Sequence, residues 1–338
     1  MRRKECVKRW LKPSLLVFFS CLTVLILAAC GGKEELKTVK VGEVTRSIFY
    51  APLYVAIEKG FFEEEGLNVE LSTIPGGDKT MTALLSGGID VALVGAETSI
   101  YVAAQGANDP IKNFAQLTQT DGTFLVSREP IENFTWDMLK DSTFLGQRKG
   151  GMPQMVGEYV LKQHGIDPHG DLELIQNIDF ANISTAFASG TGDFVQLFEP
   201  TASVFEAEGV GYIVASFGTE SGHVPYTVFM AKDSMISSDA ATIEAFTRAI
   251  KKAQDFVYSS SAEEVAKAIV PFFENTEVDL IATVVDRYRS QESFAKDPIL
   301  DQEEWNNLQN IMDEAGELPE RIPYENLVNT TFAEKVTN

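Results

Sequence analysis

Cysteine is nearly absent from this chain, whose only three such residues are Cys6, Cys21 and Cys30. Because all three lie within the first 30 residues, the rest of the chain contains no thiol. Disulfide bonds, zinc–thiolate sites and cysteine nucleophiles are therefore excluded from most of the protein. Its stability must come from an ordinary hydrophobic core, which a chain of 338 residues is long enough to bury.

Histidine is equally scarce, with only His164, His169 and His223 in the sequence. Their spacing does not fit a metal-binding helix pair, and the chain has neither a serine nucleophile elbow nor a phosphate-binding loop. Dinucleotide fingerprints are missing as well. We therefore expect no catalytic residues, no metal and no cofactor, although a ligand contact at His223 stays open.

Basic residues are in the minority, with 28 Lys and Arg against 49 Asp and Glu, for a net charge of −21. Residues 1–29 contribute +5, so residues 30–338 carry −26. A surface this acidic repels nucleic acid and anionic lipid headgroups. The sequence therefore predicts no nucleic-acid partner.

Long apolar runs are also rare, and the first one extends only from about Ser14 to Ala29. Six basic residues precede it, and its roughly 16 residues fall short of the roughly 20 that span a bilayer. This pattern predicts a secretory signal peptide over residues 1–29. The alternative is an ordinary signal anchor.

The segment Leu27-Ala28-Ala29-Cys30 resembles the lipobox of bacterial lipoproteins, in which the cysteine is acylated and becomes the new N-terminus. The resemblance implies lipidation of Cys30 and a lipid anchor on the extracytoplasmic face of the cell membrane. Residues 30–37 are then a polar tether. In the alternative interpretation the cysteine stands there by chance.

After the tether, β-branched runs alternate with helical patterns, which predicts an α/β fold with largely parallel sheets. We expect strands at residues 38–44, 69–74 and 89–94. A helix follows the first strand from Pro52, and another follows the second strand with Asp78 as its N-cap. From Ser238 onward the pattern is mostly helical.

An internal repeat relates two stretches that begin at Ala83 and Ala186. Aligned without gaps, they match Ser-Gly after a helix and then Asp90 with Asp193. Each copy predicts a helix, a glycine break, a strand and a loop with a carboxylate. Two similar lobes would face each other across a cleft at their strand ends, unless the match is coincidental.

Two strands are predicted to cross between the lobes, at residues 124–127 and 224–231. They divide the chain into a first lobe of residues 38–123 and 228–338 and a second lobe of residues 124–227. The expected architecture is therefore two α/β lobes joined by a two-strand hinge.

Loop residues at the strand ends are suited to holding a small molecule. Glycines let backbone N–H groups approach a ligand, and the N-terminus of the helix after Gly151 favours an anionic group. Each aromatic side chain alone is more often core than pocket wall. The candidate ligand residues are Arg46, Phe49, Tyr50, Gly76, Gly77, Glu97, Thr98, Ser99, Gly151, Gln154 and Glu199.

Several runs resemble one known family: APLYVAIEKGFFEEEGLNVEL from Ala51, PGGDKTMTALLSGGIDVALVG from Pro75, VPYTVFMAK from Val224 and the ending from Glu314. The chain is similar to the nitrate/sulfonate/taurine family of ABC-transporter solute-binding proteins, which includes binders of thiamine-precursor pyrimidines and of riboflavin. The resemblance implies a two-lobed type II periplasmic-binding-protein fold, a monomer, and a permease with its ATPase as partners. A lipid anchor suits a Gram-positive member.

The expected ligand is a small organic molecule, taurine or an alkanesulfonate in first place. Arg46 and the start of the helix after Gly151 would hold the sulfonate, and Glu97 and Glu199 would accept hydrogen bonds from the amine. A planar aminopyrimidine or a flavin is the alternative on the same fold. An exported enzyme is a further alternative, although the cysteine-rich motif of the related pyrimidine synthases is missing. A sensor or interaction lipoprotein is another alternative.

Overall fold

A computed structural model describes residues 35–338, which form two five-stranded mixed sheets with helices packed around them. The predicted signal peptide, Cys30 and most of the tether lie outside the described residues. Within those residues, no helix has both the length and the apolar character needed to cross a membrane.

Ten strands carry the two sheets. In chain order they are β1 (Lys37–Glu43), β2 (Leu67–Thr73), β3 (Val91–Val94), β4 (Ile111–Thr118), β5 (Thr123–Ser127), β6 (Thr143–Leu145), β7 (Glu173–Ile175), β8 (Phe194–Phe198), β9 (Tyr212–Ser216) and β10 (Thr227–Lys232).

Fifteen α-helical segments of the described residues cover the sheets. They are α1 (Ala51–Glu58), α2 (Phe61–Glu64), α3 (Gly77–Ser86), α4 (Glu97–Ala104), α5 (Met152–Gln163), α6 (Ile183–Ala188), α7 (Thr201–Glu208), α8 (Phe217–Glu220), α9 (Asp233–Ser238), α10 (Ala240–Ser259), α11 (Ala262–Ile269), α12 (Val278–Ser290), α13 (Gln302–Glu314), α14 (Tyr324–Leu327) and α15 (Thr331–Thr337). Short 3-10 turns occupy Ile48–Tyr50, Trp136–Leu139, Phe180–Asn182 and Val270–Phe272.

The two sheets have the same topology. The first has the strand order β2-β1-β3-β10-β4 and the second has β7-β6-β8-β5-β9. In each, the first three strands are parallel, and the fourth, β10 or β5, is antiparallel to both of its neighbours. The molecule therefore has two α/β lobes of one design, as the sequence predicts.

The internal repeat corresponds to the same structural unit in each lobe. The Asp90 carboxylate accepts a hydrogen bond from the backbone N–H of Lys40 in β1 at 2.9 Å. In the second lobe, the Asp193 carboxylate accepts the corresponding bond from Thr143 in β6 at 2.8 Å. Each aspartate also donates its own backbone N–H to that strand residue. Both aspartates thus join the start of β3 or β8 to the neighbouring strand.

The chain crosses between the lobes twice, from β4 into β5 and from β9 through α8 into β10. The second crossing strand starts at Thr227 rather than Val224. Val224 and Tyr226 nevertheless donate backbone hydrogen bonds to Gln119 and Thr118 of the first crossing. The two crossings are therefore paired with each other, and they form the two-strand hinge.

Most of the helical C-terminal region packs on the first lobe, and α13 also contacts α5 of the second lobe. In α10 the buried apolar residues recur at the helical spacing, as in Ile243, Phe246, Ile250, Ala253 and Val257. This helix contacts α1 and α15. The mostly helical pattern predicted from Ser238 onward is confirmed.

We expect Asp90→Ala and Asp193→Ala to lower the free energy of unfolding by similar amounts, about 1 kcal/mol each, because each removes one hydrogen bond to strand backbone. The Asp→Asn variants keep a side-chain acceptor and should lose less. The measurement is the urea midpoint at constant slope. Unequal decreases in the free energy of unfolding would show that the two carboxylates do not play equivalent roles in their lobes.

Candidate functional site

A cavity of about 480 Å³ lies between the lobes at the carboxyl ends of the parallel strands. The first lobe contributes loops and helix starts around Thr45, Gly76 and Glu97, and the second contributes the segment from Gln147 to Pro153. Such crevices at strand ends are where open α/β sheets bind ligands. Since both lobes supply its wall, a molecule in this cavity would touch both.

Six of the eleven candidate residues line this cavity, and five do not. The lining residues are Tyr50, Gly76, Gly77, Glu97, Thr98 and Gly151. The five that lie away from its wall are Arg46, Phe49, Ser99, Gln154 and Glu199.

Two of these five, Arg46 and Glu199, are engaged in ion pairs with protein groups. Arg46 Nε lies 2.9 Å from a carboxylate oxygen of the buried Glu43, and its guanidinium rests over the ring of Phe272. Glu199 is 1% exposed and pairs with Arg287 of α12. Neither Arg46 nor Glu199 lines the cavity. A direct contact between either side chain and a ligand stays a prediction.

The other three support the cavity from behind. The Phe49 ring is fully buried among aromatic side chains, with Tyr288 at 5.1 Å and Tyr226 at 5.6 Å between ring centroids. Ser99 donates to the backbone of its own turn and accepts from Asn113. The side-chain oxygen Oε1 of Gln154 accepts a hydrogen bond from the Gly150 N–H at 2.8 Å.

Gln154 holds the loop of Gly150 and Gly151 in place, and the buried Glu158 orients Gln154. Its amide nitrogen donates to the Glu158 carboxylate at 2.8 Å. Because the amide nitrogen is directed at Glu158, the amide oxygen of Gln154 is directed at Gly150. Gln154 therefore positions the loop at the N-terminus of α5, whose residues Gly150, Gly151 and Met152 do line the cavity.

Glu97 is the acidic side chain most deeply buried in the wall, at 3% exposure, and it opens α4. Its Oε2 atom has no hydrogen-bond partner in the described part of the chain. Burial raises the pKa of this carboxyl to about 8, and the backbone N–H groups of Glu97, Met152 and Thr98 oppose that shift only in part. A buried polar atom without a partner is costly, and this one belongs to a residue of the cavity wall.

Gly95 makes room for this carboxyl. A Cβ atom on Gly95 would lie 2.0 Å from Glu97 Oε2, far inside van der Waals contact. This role could not be predicted from the sequence, because Gly95 fits no recognised motif. Any side chain at this position would push the carboxyl out of its place.

An ion pair that the sequence did not predict closes the rim of the cavity. Arg148 of the second lobe lies 2.8 Å from the carboxylate of Asp78 in the first lobe. Burial opposes ionisation of Asp78, but the hydrogen bond and charge of Arg148 hold its pKa below the usual range. Lys79 and Asp179 form a second pair between the lobes at 3.5 Å.

The prediction that Asp78 is the N-cap of its helix was wrong. Gly76 caps α3, with a φ of 104° that few residues other than glycine adopt. The Asp78 carboxylate, inside the first turn, pairs with Arg148. The pairing partner lies 70 positions along the chain, so that local capping rules could not reveal it.

Aromatic side chains supply much of the remaining wall. Tyr50 and Tyr101 come from the first lobe, Phe180 and Phe198 from the second, and Tyr226 from the crossing between them. Such rings offer flat apolar surfaces with hydroxyl groups at some edges. The cavity is therefore suited to a planar organic molecule. Among residues 35–338, no group of three or more His, Cys, Asp or Glu could hold a metal ion.

We expect the Glu97→Gln variant to change how stability depends on pH. A group whose folded pKa is raised from 4.5 to about 8 loses its stabilising effect as pH rises through that range, by about 1.4 kcal/mol per pH unit. From about pH 5 to about pH 8, wild type should therefore lose stability relative to Glu97→Gln. Melting curves of both proteins across this range make the test, and parallel curves would contradict a neutral Glu97.

Known proteins share this architecture. A solved structure, the ligand-binding component of an ABC-type import system from Staphylococcus aureus, superimposes with a TM-score of 0.70 at 16% identity. The match covers 89% of this chain and 99% of that one. At this identity the likeness shows the fold, and the expected periplasmic-binding-protein fold is confirmed.

Two relatives are detected by sequence. YtlA of Bacillus subtilis (strain 168), whose name calls it a binding protein without stating a ligand, is 62% identical over 332 residues. The match covers 98% of this chain and 99% of YtlA. The 4-amino-5-hydroxymethyl-2-methylpyrimidine phosphate synthase of Aspergillus parasiticus is 26% identical over 269 residues, 73% of this chain and 72% of the synthase.

The profile of the NMT1-like family matches residues 32–270, which is well over half of the sequence. This match includes β1 to β10 and therefore both lobes with their crossings. The chain belongs to the NMT1-like family.

Proposed function

We propose that this chain is the extracytoplasmic solute-binding protein of an ABC importer. Its two lobes close on a small organic ligand and present the closed form to a permease that works with its ATPase. A ligand that touches both lobes binds the closed form better than the open one, and this difference drives closure. The cavity lined by both lobes and the fold shared with an import component support this proposal.

One observation carries the choice of ligand: Glu97 Oε2 is buried at the cavity wall and lacks a partner. A ligand that brings a hydrogen-bond donor satisfies this oxygen. Nitrate or a simple alkanesulfonate has no N–H to offer and would leave the oxygen unpaired, at a cost of about 1–3 kcal/mol. The ligand therefore carries an amine or an amino-substituted ring.

Among such ligands, a planar aminopyrimidine fits the wall best. Tyr50, Tyr101, Phe180 and Phe198 offer flat surfaces, and Glu97 accepts from the amino group. The relative from Aspergillus parasiticus is a pyrimidine phosphate synthase by name, which supports this ligand class. This geometry reverses the order expected from the sequence, in which taurine came first.

Taurine remains the second candidate because the wall also has features that favour an anion. The N-terminus of α5 opens at Gly151, and Arg148 and Lys149 line the cavity beside it. Both cations are already engaged, Arg148 with Asp78 and Lys149 with Glu317 at 3.6 Å. A sulfonate would have to compete with these carboxylates, which is why taurine ranks lower.

Binding rather than catalysis is the proposed role of the site. An exported enzyme would need a base, for which Glu97, Glu199 and His223 are the candidates. Glu199 is paired with Arg287, and His223 lies outside the cavity wall between Glu292 and Glu304. Only Glu97 is in the cavity, and a lone carboxyl without a nucleophile makes no catalytic constellation. YtlA, 62% identical, is named as a binding protein.

The anchor at Cys30 completes the proposal. Buried acyl chains gain about 0.8 kcal/mol per methylene, whereas surface charge is screened beyond roughly 8 Å at physiological salt. The lipid therefore holds the acidic protein, −26 over residues 30–338, at a membrane whose headgroups repel it. A receptor tethered in this way stays near its permease.

Wild type should melt at a higher temperature with an aminopyrimidine such as 4-amino-5-hydroxymethyl-2-methylpyrimidine. Ligand at 100 times its Kd adds about 2.7 kcal/mol of stability. Glu97→Ala should abolish this increase, whereas Glu304→Gln, on α13 outside the cavity wall, should keep it. The assay is a thermal shift with the aminopyrimidine and with taurine. If neither ligand moves the melting curve of wild type, the proposed ligand class is wrong.

Replacement of Cys30 tests the anchor independently of the ligand. In a Gram-positive host, Cys30→Ser should release the protein from the membrane fraction into the medium, because serine cannot receive the thioether-linked lipid. Cys21→Ser is the matched control, since that residue is removed with the signal peptide. Immunoblots of membrane and medium measure the distribution. Retention of Cys30→Ser at the wild-type level would rule the lipid anchor out.

A further inference from the structure

The buried carboxyl of Glu97 stands apart from every positive side chain of the described residues. No lysine, arginine or histidine in this part of the chain forms an ion pair with it. The cavity rim does hold cations, but Arg148 is paired with Asp78 and Lys149 with Glu317. Glu97 is thus a buried acid without a counter-ion.

The titratable groups around Glu97 do not supply that missing charge. Tyr50, Tyr101 and Tyr226 interact electrostatically with Glu97, and the pKa of each hydroxyl is raised, so all three are neutral. From the second lobe, the backbone N–H of Met152 is directed at the carboxyl. This N–H and those of Glu97 and Thr98 favour the charged form less than the loss of surrounding water opposes it.

Burial without a counter-ion favours the uncharged form of an acid. A neutral carboxylic acid is both a donor, through O–H, and an acceptor, through C=O. An ionised carboxylate offers acceptors alone. The protonation state of Glu97 therefore decides which pattern of hydrogen bonds the ligand must carry.

We propose that Glu97 binds its ligand as the neutral carboxylic acid, with one oxygen donating to a ring nitrogen and the other accepting from an adjacent amino group. The selected ligand class is then an uncharged heterocycle with a donor and an acceptor side by side. This inference rests on the proposed function, because it names how the same cavity chooses its ligand. Glu97 is the specificity-determining residue.

Ionisation of Glu97 breaks this match. The carboxylate places a lone pair opposite the lone pair of the ring nitrogen, and one of the two hydrogen bonds becomes a repulsion. The Gln side chain, by contrast, keeps one donor and one acceptor at the same positions without ionising. Gly95 leaves room for the group in either case.

The test is the pH dependence of affinity for 4-amino-5-hydroxymethyl-2-methylpyrimidine, measured by calorimetry from about pH 7 to about pH 9.5. For wild type, the affinity should fall toward tenfold per pH unit once Glu97 ionises. Glu97→Gln should bind within about tenfold of wild type at pH 7 and lose the pH dependence. Glu304→Gln, whose site lies outside the cavity wall, should keep the wild-type profile.

The opposite result has a distinct signature. If affinity rises with pH and Glu97→Gln abolishes binding, Glu97 holds a cation as a carboxylate, and the inference is wrong while the proposed function stands. Taurine, whose ammonium needs the ionised form, is the probe that should show this pattern if it binds.

A measurement on the empty protein separates the remaining case. If neither probe binds wild type, the proposed ligand class fails. The inference then survives only if stability of the empty wild type falls with pH relative to Glu97→Gln. Melting curves with the same pH dependence for both proteins overturn it, whatever the ligand.

Discussion

Backbone pairing of the two crossing strands is the constraint on which the rest of the structure depends. β10 enters the first sheet between β3 and β4 after the chain has built the whole second lobe. β5 occupies the same place in the second sheet, between β8 and β9. Neither sheet is complete without a strand that arrives from the crossing. Tyr226 and Thr227 of the second crossing line the cavity, so an element that joins the lobes is also part of the wall of the site.

Contacts beside the crossings tie the lobes together on the hinge side. The Ser47 hydroxyl of the first lobe donates to the Glu199 carbonyl of the second at 2.6 Å. The Tyr288 hydroxyl of α12 donates to the Gly122 carbonyl at 2.7 Å, and the neighbouring Arg287 pairs with Glu199. A Cβ on Gly122 would lie 2.7 Å from the Phe49 ring, so this packing also depends on a glycine. Two candidate residues, Phe49 and Glu199, thus hold the hinge rather than line the cavity.

What the sequence could predict was set by local pattern. The alternation of strands and helices, the glycine breaks and the equivalence of Asp90 with Asp193 all follow from residues within one helix-strand unit. The repeat then predicted two lobes, and strand ends predicted the cavity edge, where Glu97 and Gly151 do lie.

What the sequence could not predict was set by partners far along the chain. Glu199 was placed correctly after its strand, but Arg287, 88 residues later, occupies its charge. Asp78 is drawn to Arg148 in the other lobe. Even Arg46, whose partner Glu43 is three residues away, depends on how deeply Glu43 is buried. A loop position is predictable from sequence, but whether its charge is free depends on the folded neighbours.

The ion pair between Asp78 and Arg148 stabilises the closed arrangement of the lobes even when no ligand is bound. It links the lobes across a cavity without needing a ligand, and each such exposed pair is worth about 0–1 kcal/mol. Each 1 kcal/mol by which this pair stabilises the closed form multiplies the ratio of closed to open empty receptors by about five. In the proposed function, a closed but empty receptor would present the permease with the outer shape of a loaded one. Because the rim pair is weak and screened by salt, the empty closed form stays rare. The ligand then supplies most of the free energy of closure.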